Sequence, residues 1–182
     1  MSGGPDAKPT VKVWDLLVRV GHWSIVIGIV AAWFTRGKWH EWIGYAVLAI
    51  IAVRIVWGLI GSRYARFTQF VHSPEATLDY GKQILAHQEP RHLGHNPLGG
   101  WMIVALLVTL AGVCVTGWLF TTDRFWGVEW MEELHEGLTY FLLGLAALHV
   151  SGVIFSSLRH RENLVAAMIH GHKKPPGPGD VA

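Results

Sequence analysis

The sequence predicts an all-α integral membrane protein built as a four-helix bundle, and three observations predict it. The chain of 182 residues is 51% hydrophobic with a positive mean hydropathy, which is high for a water-soluble domain. Leu98 to Thr122 and Gly137 to Leu158 contain no Asp, Glu, Lys or Arg, and about 20 apolar residues cross the ~30 Å hydrocarbon of a bilayer. Two further apolar stretches carry a few charges: Val13 to Phe34, with Asp15 and Arg19, and His40 to Ile60, with Glu41 at its start and Arg54 within it.

Taken in order, residues 1–10, "MSGGPDAKPT", lack the basic flank, apolar core and small-residue cleavage site of a secretory signal. They are expected to form a flexible N-terminus, with the first span kept as an anchor. The membrane domain is expected over residues 11–171, with spans near 13–34, 40–60, 98–120 and 134–158. The connection between the second and third spans is too long for a simple helix–helix turn. Within it, Ser73-Pro74-Glu75 is a helix start, followed by Leu78, Ile84 and Leu85, which predicts a short cytoplasmic helix at the membrane interface. Residues 172–182 are rich in Pro and Gly and are expected to be a disordered tail. The single cysteine, Cys114, falls inside the third span, which excludes an intramolecular disulfide and a thiolate metal cluster.

The net charge of +2 conceals an uneven distribution. Lys8, Lys12 and Arg19 precede or open the first span, Arg63, Arg66, Lys82 and Arg91 follow the second, and Arg159, Arg161, Lys173 and Lys174 follow the fourth. The opposite side has Arg36, Lys38 and Arg124 beside Asp123, Glu129, Glu132, Glu133 and Glu136. The positive-inside bias then places both termini and the middle loop of this multi-pass chain in the cytoplasm, with the acidic face outward, to the periplasm in a Gram-negative host.

Of eleven histidines, His72, His87, His92, His95, His160, His170 and His172 fall in the cytoplasmic loop or tail and read as solvated surface residues. His22, His40, His135 and His149 remain within or at the ends of spans, where an ionisable side chain is costly and normally faces the bundle interior with a partner. His135 and His149 are fourteen residues apart, about 21 Å along a helix and about 40° around it. They therefore share one face of the fourth helix and offer one ligand to each of two stacked sites, with His40 opposite the outer and His22 opposite the inner. Facing imidazoles in an apolar slot suit bis-histidine haem. Zinc wants three or four protein ligands, and a proton relay would more naturally recruit intramembrane acids. With no Cys-x-x-Cys-His motif, the haem would be b-type.

Arg54 repeats the fourteen-residue spacing from His40, which sets it at the depth of the inner site. A haem propionate is one anion for it, and snorkelling to the cytoplasmic interface is the other reading. Arg19, one turn before His22, has a similar role open to it, or an i,i+4 pair with Asp15. Gly28, Gly44, Gly112, Gly117 and Gly144 read first as helix-packing residues, and second as room for a porphyrin. Trp33, Trp39, Trp42, Trp118, Trp126 and Trp130 read as an aromatic belt.

With those residues in place the chain resembles the bacterial cytochrome b561 family, which includes the b-type cytochrome subunits of nickel–iron hydrogenases. The likeness runs through "VWDLLVRVGHW", "AVRIVWGLIGSRYARF", "GHNPLGGWMIVALL", "VEWMEELHEGLTYFLLGLAALHVSGV" and "ENLVAAMIHG". It implies a four- to five-helix membrane protein with two stacked b haems, ligand roles for His22, His40, His135 and His149, and a propionate near Arg54. With four spans the chain departs from the hydrogenase subunits, which tend to have an additional region, and its short first outer loop, "TRGKWHE", departs from the superoxide-oxidising branch, whose loop is longer. The resemblance implies electron transfer between the quinone pool and a periplasmic redox protein, such as a c-type cytochrome or a dehydrogenase subunit. The acids at Glu129, Glu132, Glu133 and Glu136 either steer a basic partner or serve solubility. Alternatives are a superoxide:ubiquinone oxidoreductase and a membrane-anchoring subunit of a hydrogenase-like enzyme. Membrane lipid and quinone are expected partners, nucleic acid is not, and the chain stands as a monomer or a homodimer.

Overall fold

A computed structural model describes residues 9–182. The flexible segment expected at residues 1–10 falls almost wholly outside the described residues. Four long helices carry the fold: α1 (Leu16–Phe34), α2 (Lys38–Ile60), α5 (Pro97–Phe120) and α6 (Glu129–Arg159). All four are long and apolar enough to cross a membrane. Between α2 and α5 lie a 3-10 turn (Arg63–Ala65), the single helical turn α3 (Phe67–Phe70) and α4 (Pro74–Leu85); α7 (Leu164–His170) follows α6, and strand β2 (His172–Lys173) pairs antiparallel with β1 (Val11–Lys12).

Helix starts follow local chemistry. The Asp15 carboxylate accepts the Val18 amide at 2.9 Å, and Asn96 accepts that of Gly99 at 2.7 Å with Pro97 next in the helix, satisfying amides that a helix N-terminus otherwise leaves unpaired. The first helix begins three residues later than expected because Val13 and Trp14 stay extended, donating their amides to the Gly171 carbonyl at 2.9 and 3.1 Å. The last long helix begins five residues earlier, at Glu129, with Glu129 and Glu132 in its first turn. There the acids complement the helix dipole.

The long helices pack in an arc, α1 on α2, α2 on α5, and α5 on α6. A core of Val47, Ile51, Leu110 and Leu142 fills the middle. Neither α1 nor α2 packs closely along α6, and only Val18 of α1 and Met131 and Leu142 of α6 are fully buried. The arc therefore leaves α6 facing α1 and α2 across a cleft. Large apolar side chains such as Ile27, Leu59, Val108, Phe141 and Leu148 cover the outside, a surface suited to lipid and not to water.

Helix α4 occupies the segment where the sequence predicts a short helix. Ser73 caps it, accepting the Ala76 amide at 3.2 Å. Leu78 and Leu85, seven residues apart on one face, are exposed, while Tyr80 is buried. Both chain ends and the α2–α5 connection gather at one end of the bundle, here the terminal end; the α1–α2 and α5–α6 turns form the hairpin end.

The tail differs from its expected disorder. Residues 172–182 form a strap over the terminal end: β2 pairs with β1, Leu93 donates to the Val181 carbonyl, and Val181 donates to that of Arg91, both at 2.9 Å. Arg91 holds the strap by reaching Glu162 at 2.8 Å and Asp180 at 2.5 Å, and also donates to the Lys174 carbonyl at 2.9 Å. Glu162 in turn accepts the Lys174 amide at 2.9 Å. Composition points to disorder, but ion pairs supplied from the α2–α5 connection and the α6–α7 turn order the segment.

Candidate haem sites

Two histidine pairs lie across the cleft, one toward each end. At the hairpin end, His40 in the first turn of α2 faces His135 of α6, with ring centroids 6.2 Å apart and planes at 75°. His40 Nδ1 lies 2.9 Å from the Ala32 carbonyl, so it must carry the proton it donates, leaving Nε2 as a free base. His135 is set in the same way: its Nδ1 is 3.1 Å from Thr116 Oγ1, whose own proton goes to Gly112 or Val113 carbonyls at 2.8 and 3.0 Å. Both imidazoles therefore have one nitrogen fixed by a protein acceptor and one available for a metal, the arrangement of metal-ligating histidines. Gly117 permits it: a Cβ there would stand 3.0 Å from His135 Cε1 and 3.3 Å from Nδ1.

Toward the terminal end stand His22 of α1 and His149 of α6, both half-buried. His22 Nδ1 is sealed from solvent without a hydrogen-bond partner, and the Trp23 ring meets the His22 ring edge-on at 5.1 Å. Arg54 of α2 has its guanidinium over the Phe67 ring at 5.3 Å and Nη1 buried without a partner. Arg19 donates Nη1 to the Ile169 carbonyl, and its Nε is likewise sealed and unpaired. The Asp15 side chain is not paired with Arg19. It is taken by the Val18 amide, by Trp57 Nε1 at 2.9 Å and by Ser62 Oγ at 2.5 Å.

Two loop histidines depart from the solvated reading. His95, one residue before the α5 cap, lies between the Trp14 and Phe70 rings at 4.5 and 4.9 Å. Its Nδ1 is buried without a partner, and it lies in the field of Lys173, Arg54, His149 and His22. Burial, then those surrounding cations and histidines, holds it neutral, well below the usual histidine value. His92, packed against Tyr80 at 5.3 Å, is pulled down to about 4 by burial and by neighbouring His72, His160 and Lys173. The signal for His95 in the sequence is its place beside the Asn96–Pro97 helix start, at the level of the inner pair.

The glycines divide. Gly28 serves packing, since a Cβ there would strike Val47 at 2.6 Å; Gly44 and Gly144 meet nothing within 4 Å. Among the described residues, no three His, Cys, Asp or Glu side chains converge as a protein-only metal site would require.

Compared with known proteins, residues 13–171 match the family model described as prokaryotic cytochrome b561. The chain belongs to the prokaryotic cytochrome b561 family. It is also 23% identical to a probable Ni/Fe-hydrogenase B-type cytochrome subunit of Bradyrhizobium diazoefficiens, over 92% of this chain and 87% of that one. No solved structure matches it. As a cytochrome b561 the chain is a multi-pass membrane protein of electron transfer, and the family implies b-type haem.

The residues present fit that group. Two metal–imidazole bonds of ~2 Å, end to end with two half-rings, span about 6 Å, and the His40–His135 centroids stand 6.2 Å apart. Unpaired donors on Arg54 and Arg19 beside the second pair suit carboxylates.

Proposed function

We propose that this cytochrome b561 holds two b haems, His40 and His135 ligating the one toward the hairpin end and His22 and His149 the one toward the terminal end. The observation that carries the proposal is the His40–His135 pair, with its spacing and with both Nδ1 atoms committed to protein acceptors. Bound haem supplies one-electron chemistry at iron. The chain sets ligand orientation through Ala32 and Thr116, excludes water with its apolar core, and offers Arg54 and Arg19 to propionates. Axial ligation, burial and nearby charge then set the potentials.

The excess of Lys and Arg at the terminal end supports a cytoplasmic placement of both termini in a bacterial inner membrane. Stacked haems provide a route across the membrane, which supports transfer between the quinone pool and a periplasmic redox partner such as a c-type cytochrome or dehydrogenase subunit. The exposed acids Glu129, Glu132, Glu133 and Glu136 would steer a basic protein. The test is to reconstitute the cytochrome in vesicles loaded with quinol and to follow reduction of an external c-type cytochrome. Quinol-dependent reduction that is lost in His22→Ala is expected; reduction independent of the histidines would refute the assignment.

A second reading, the anchoring cytochrome of a hydrogenase-like enzyme, is favoured by the name of the Bradyrhizobium relative. Co-purification of a large metalloenzyme subunit would support it. Superoxide oxidation gains less: Arg36 at the hairpin end donates to the Thr35 and Trp33 carbonyls at 2.8 and 3.2 Å, which draws it back from any basic funnel.

A further inference from the structure

The docked strap brings a cation to a place where the sequence shows only a tail. Gly171 ends α7 in the left-handed conformation, φ 87°, where a Cβ would stand 2.6 Å from the Trp14 carbonyl. That turn starts β2, and strand alternation then sends His172 outward and Lys173 inward. Lys173 is 5% exposed, with its ammonium over the Trp14 ring at 5.5 Å. Among the described residues no carboxylate lies within 4 Å of it.

Trp14 links Lys173 to His95, which lies in the field of His22 and His149. His95 packs on Phe70; Phe70 meets Phe67 at 5.7 Å, and Phe67 carries Arg54. The result is a continuous row in which cationic or imidazole groups alternate with aromatic rings across the terminal end of the cleft. His95 Nδ1, Arg54 Nη1 and Arg19 Nε are all sealed without partners, and a buried donor left unpaired is destabilising. The nearby acids are already engaged: Asp15 by Val18, Trp57 and Ser62, and Glu162 by Arg91 and the Lys174 amide. Burial pulls the Lys173 ammonium down to about 8 against the attraction of Glu162, as expected of a cation lacking an adequate counter-charge. Lys173 and Arg54 bring two positive charges to the row, and among the described residues neither has a carboxylate within ion-pair distance.

We propose that Lys173 and His95 join Arg54 in binding the two propionates of the inner haem, with the C-terminal strap as the latch that delivers Lys173. This rests on His22 and His149 holding a haem. The recognised chemistry is a pair of carboxylates in an apolar surround, where charge-assisted hydrogen bonds are strongest. A lipid phosphate would satisfy the same cations, and the test separates the two.

The experiment is a potentiometric titration of the full chain, purified with haem, as wild type, Lys173→Met, Lys173→Arg and His95→Phe, with the inner haem identified as the component missing from His149→Ala. A cation at a propionate disfavours the oxidised iron. Lys173→Met should therefore lower the inner potential by about tenfold in the reduction equilibrium, ~59 mV for one electron. It should also speed transfer of that haem to a scavenging apoprotein about tenfold, leaving the outer haem unmoved. Lys173→Arg should restore the potential, which a merely structural role of the strap would not require, and His95→Phe should speed loss of the inner haem. An inner potential and off-rate unmoved by Lys173→Met, with less anionic lipid co-purifying, would overturn the proposal in favour of lipid while leaving the ligand pair intact. A wild type without the inner haem would overturn both.

Discussion

Gly117→Ala tests the outer site through steric cost alone. The added Cβ would lie 3.0 Å from His135 Cε1 and 3.3 Å from Nδ1, closer than side-chain carbons normally approach. The ring cannot turn aside without giving up the Thr116 contact at 3.1 Å, made by the residue next to Gly117. Relieving such overpacking costs about 1–3 kcal/mol. Alanine also gains about 0.8–1 kcal/mol in helix propensity, but this acts with and without haem and cancels from affinity. With haem absent His135 is free to rotate away, so the steric cost falls on the bound state and weakens outer haem binding about 5- to 150-fold. The assay is transfer of haem to a scavenging apoprotein, followed at the Soret band, with Gly112→Ala as control. There the new Cβ meets only Leu138, at 3.4 Å. Equal haem loss from the two variants would refute the reasoning that Gly117 exists to admit His135.

Three further outcomes are expected. Thr116→Val removes the hydroxyl that fixes His135 Nδ1 and should weaken the outer haem about 10- to 100-fold, measured by the same transfer assay, without changing the inner one. Arg91→Met leaves Glu162 and Asp180 without their shared guanidinium. Breaking a buried pair costs ~3–5 kcal/mol, and here about 2 kcal/mol is expected because Asp180 keeps some contact with solvent and Glu162 keeps the Lys174 amide, so limited proteolysis of residues 172–182 should quicken about thirty-fold. Acid should mimic the variant. Burial pushes the Glu162 and Asp180 carboxyls up, but Arg91 and backbone amides (Lys174 and Gly177) outweigh it and hold both below their ordinary values of 4.5 and 3.8. The undocked tail then binds more protons than the docked one as pH falls. The contribution is complete above the ordinary values and is lost as pH drops through the lowered ones, where wild type should become as protease-sensitive as Arg91→Met.

The four spans were legible because long uncharged runs have few alternatives to a bilayer, and the approach of His40 to His135 followed from depth, both standing at the same ends of their spans. The longer α6 was hidden because Glu129, Glu132 and Glu133 read as a surface loop, whereas at a helix N-terminus acids extend the helix. His95 and Lys173 were misread for one reason: burial of a loop residue depends on what packs over it. Here the cover comes from Trp14 and Phe70, both distant in sequence, and from a tail whose composition signals disorder. Arg19 showed a related limit. Its spacing allows an Asp15 pair, but Trp57 and Ser62 from the end of α2 take that carboxylate first.

The most direct measurement is a pyridine haemochromogen count of haem b per chain on the purified cytochrome and on its His149→Ala and His135→Ala variants. The account predicts two haems in wild type and one in each variant, with the surviving haem's potential differing between the two. One haem in wild type, or a variant that retains both, would contradict it.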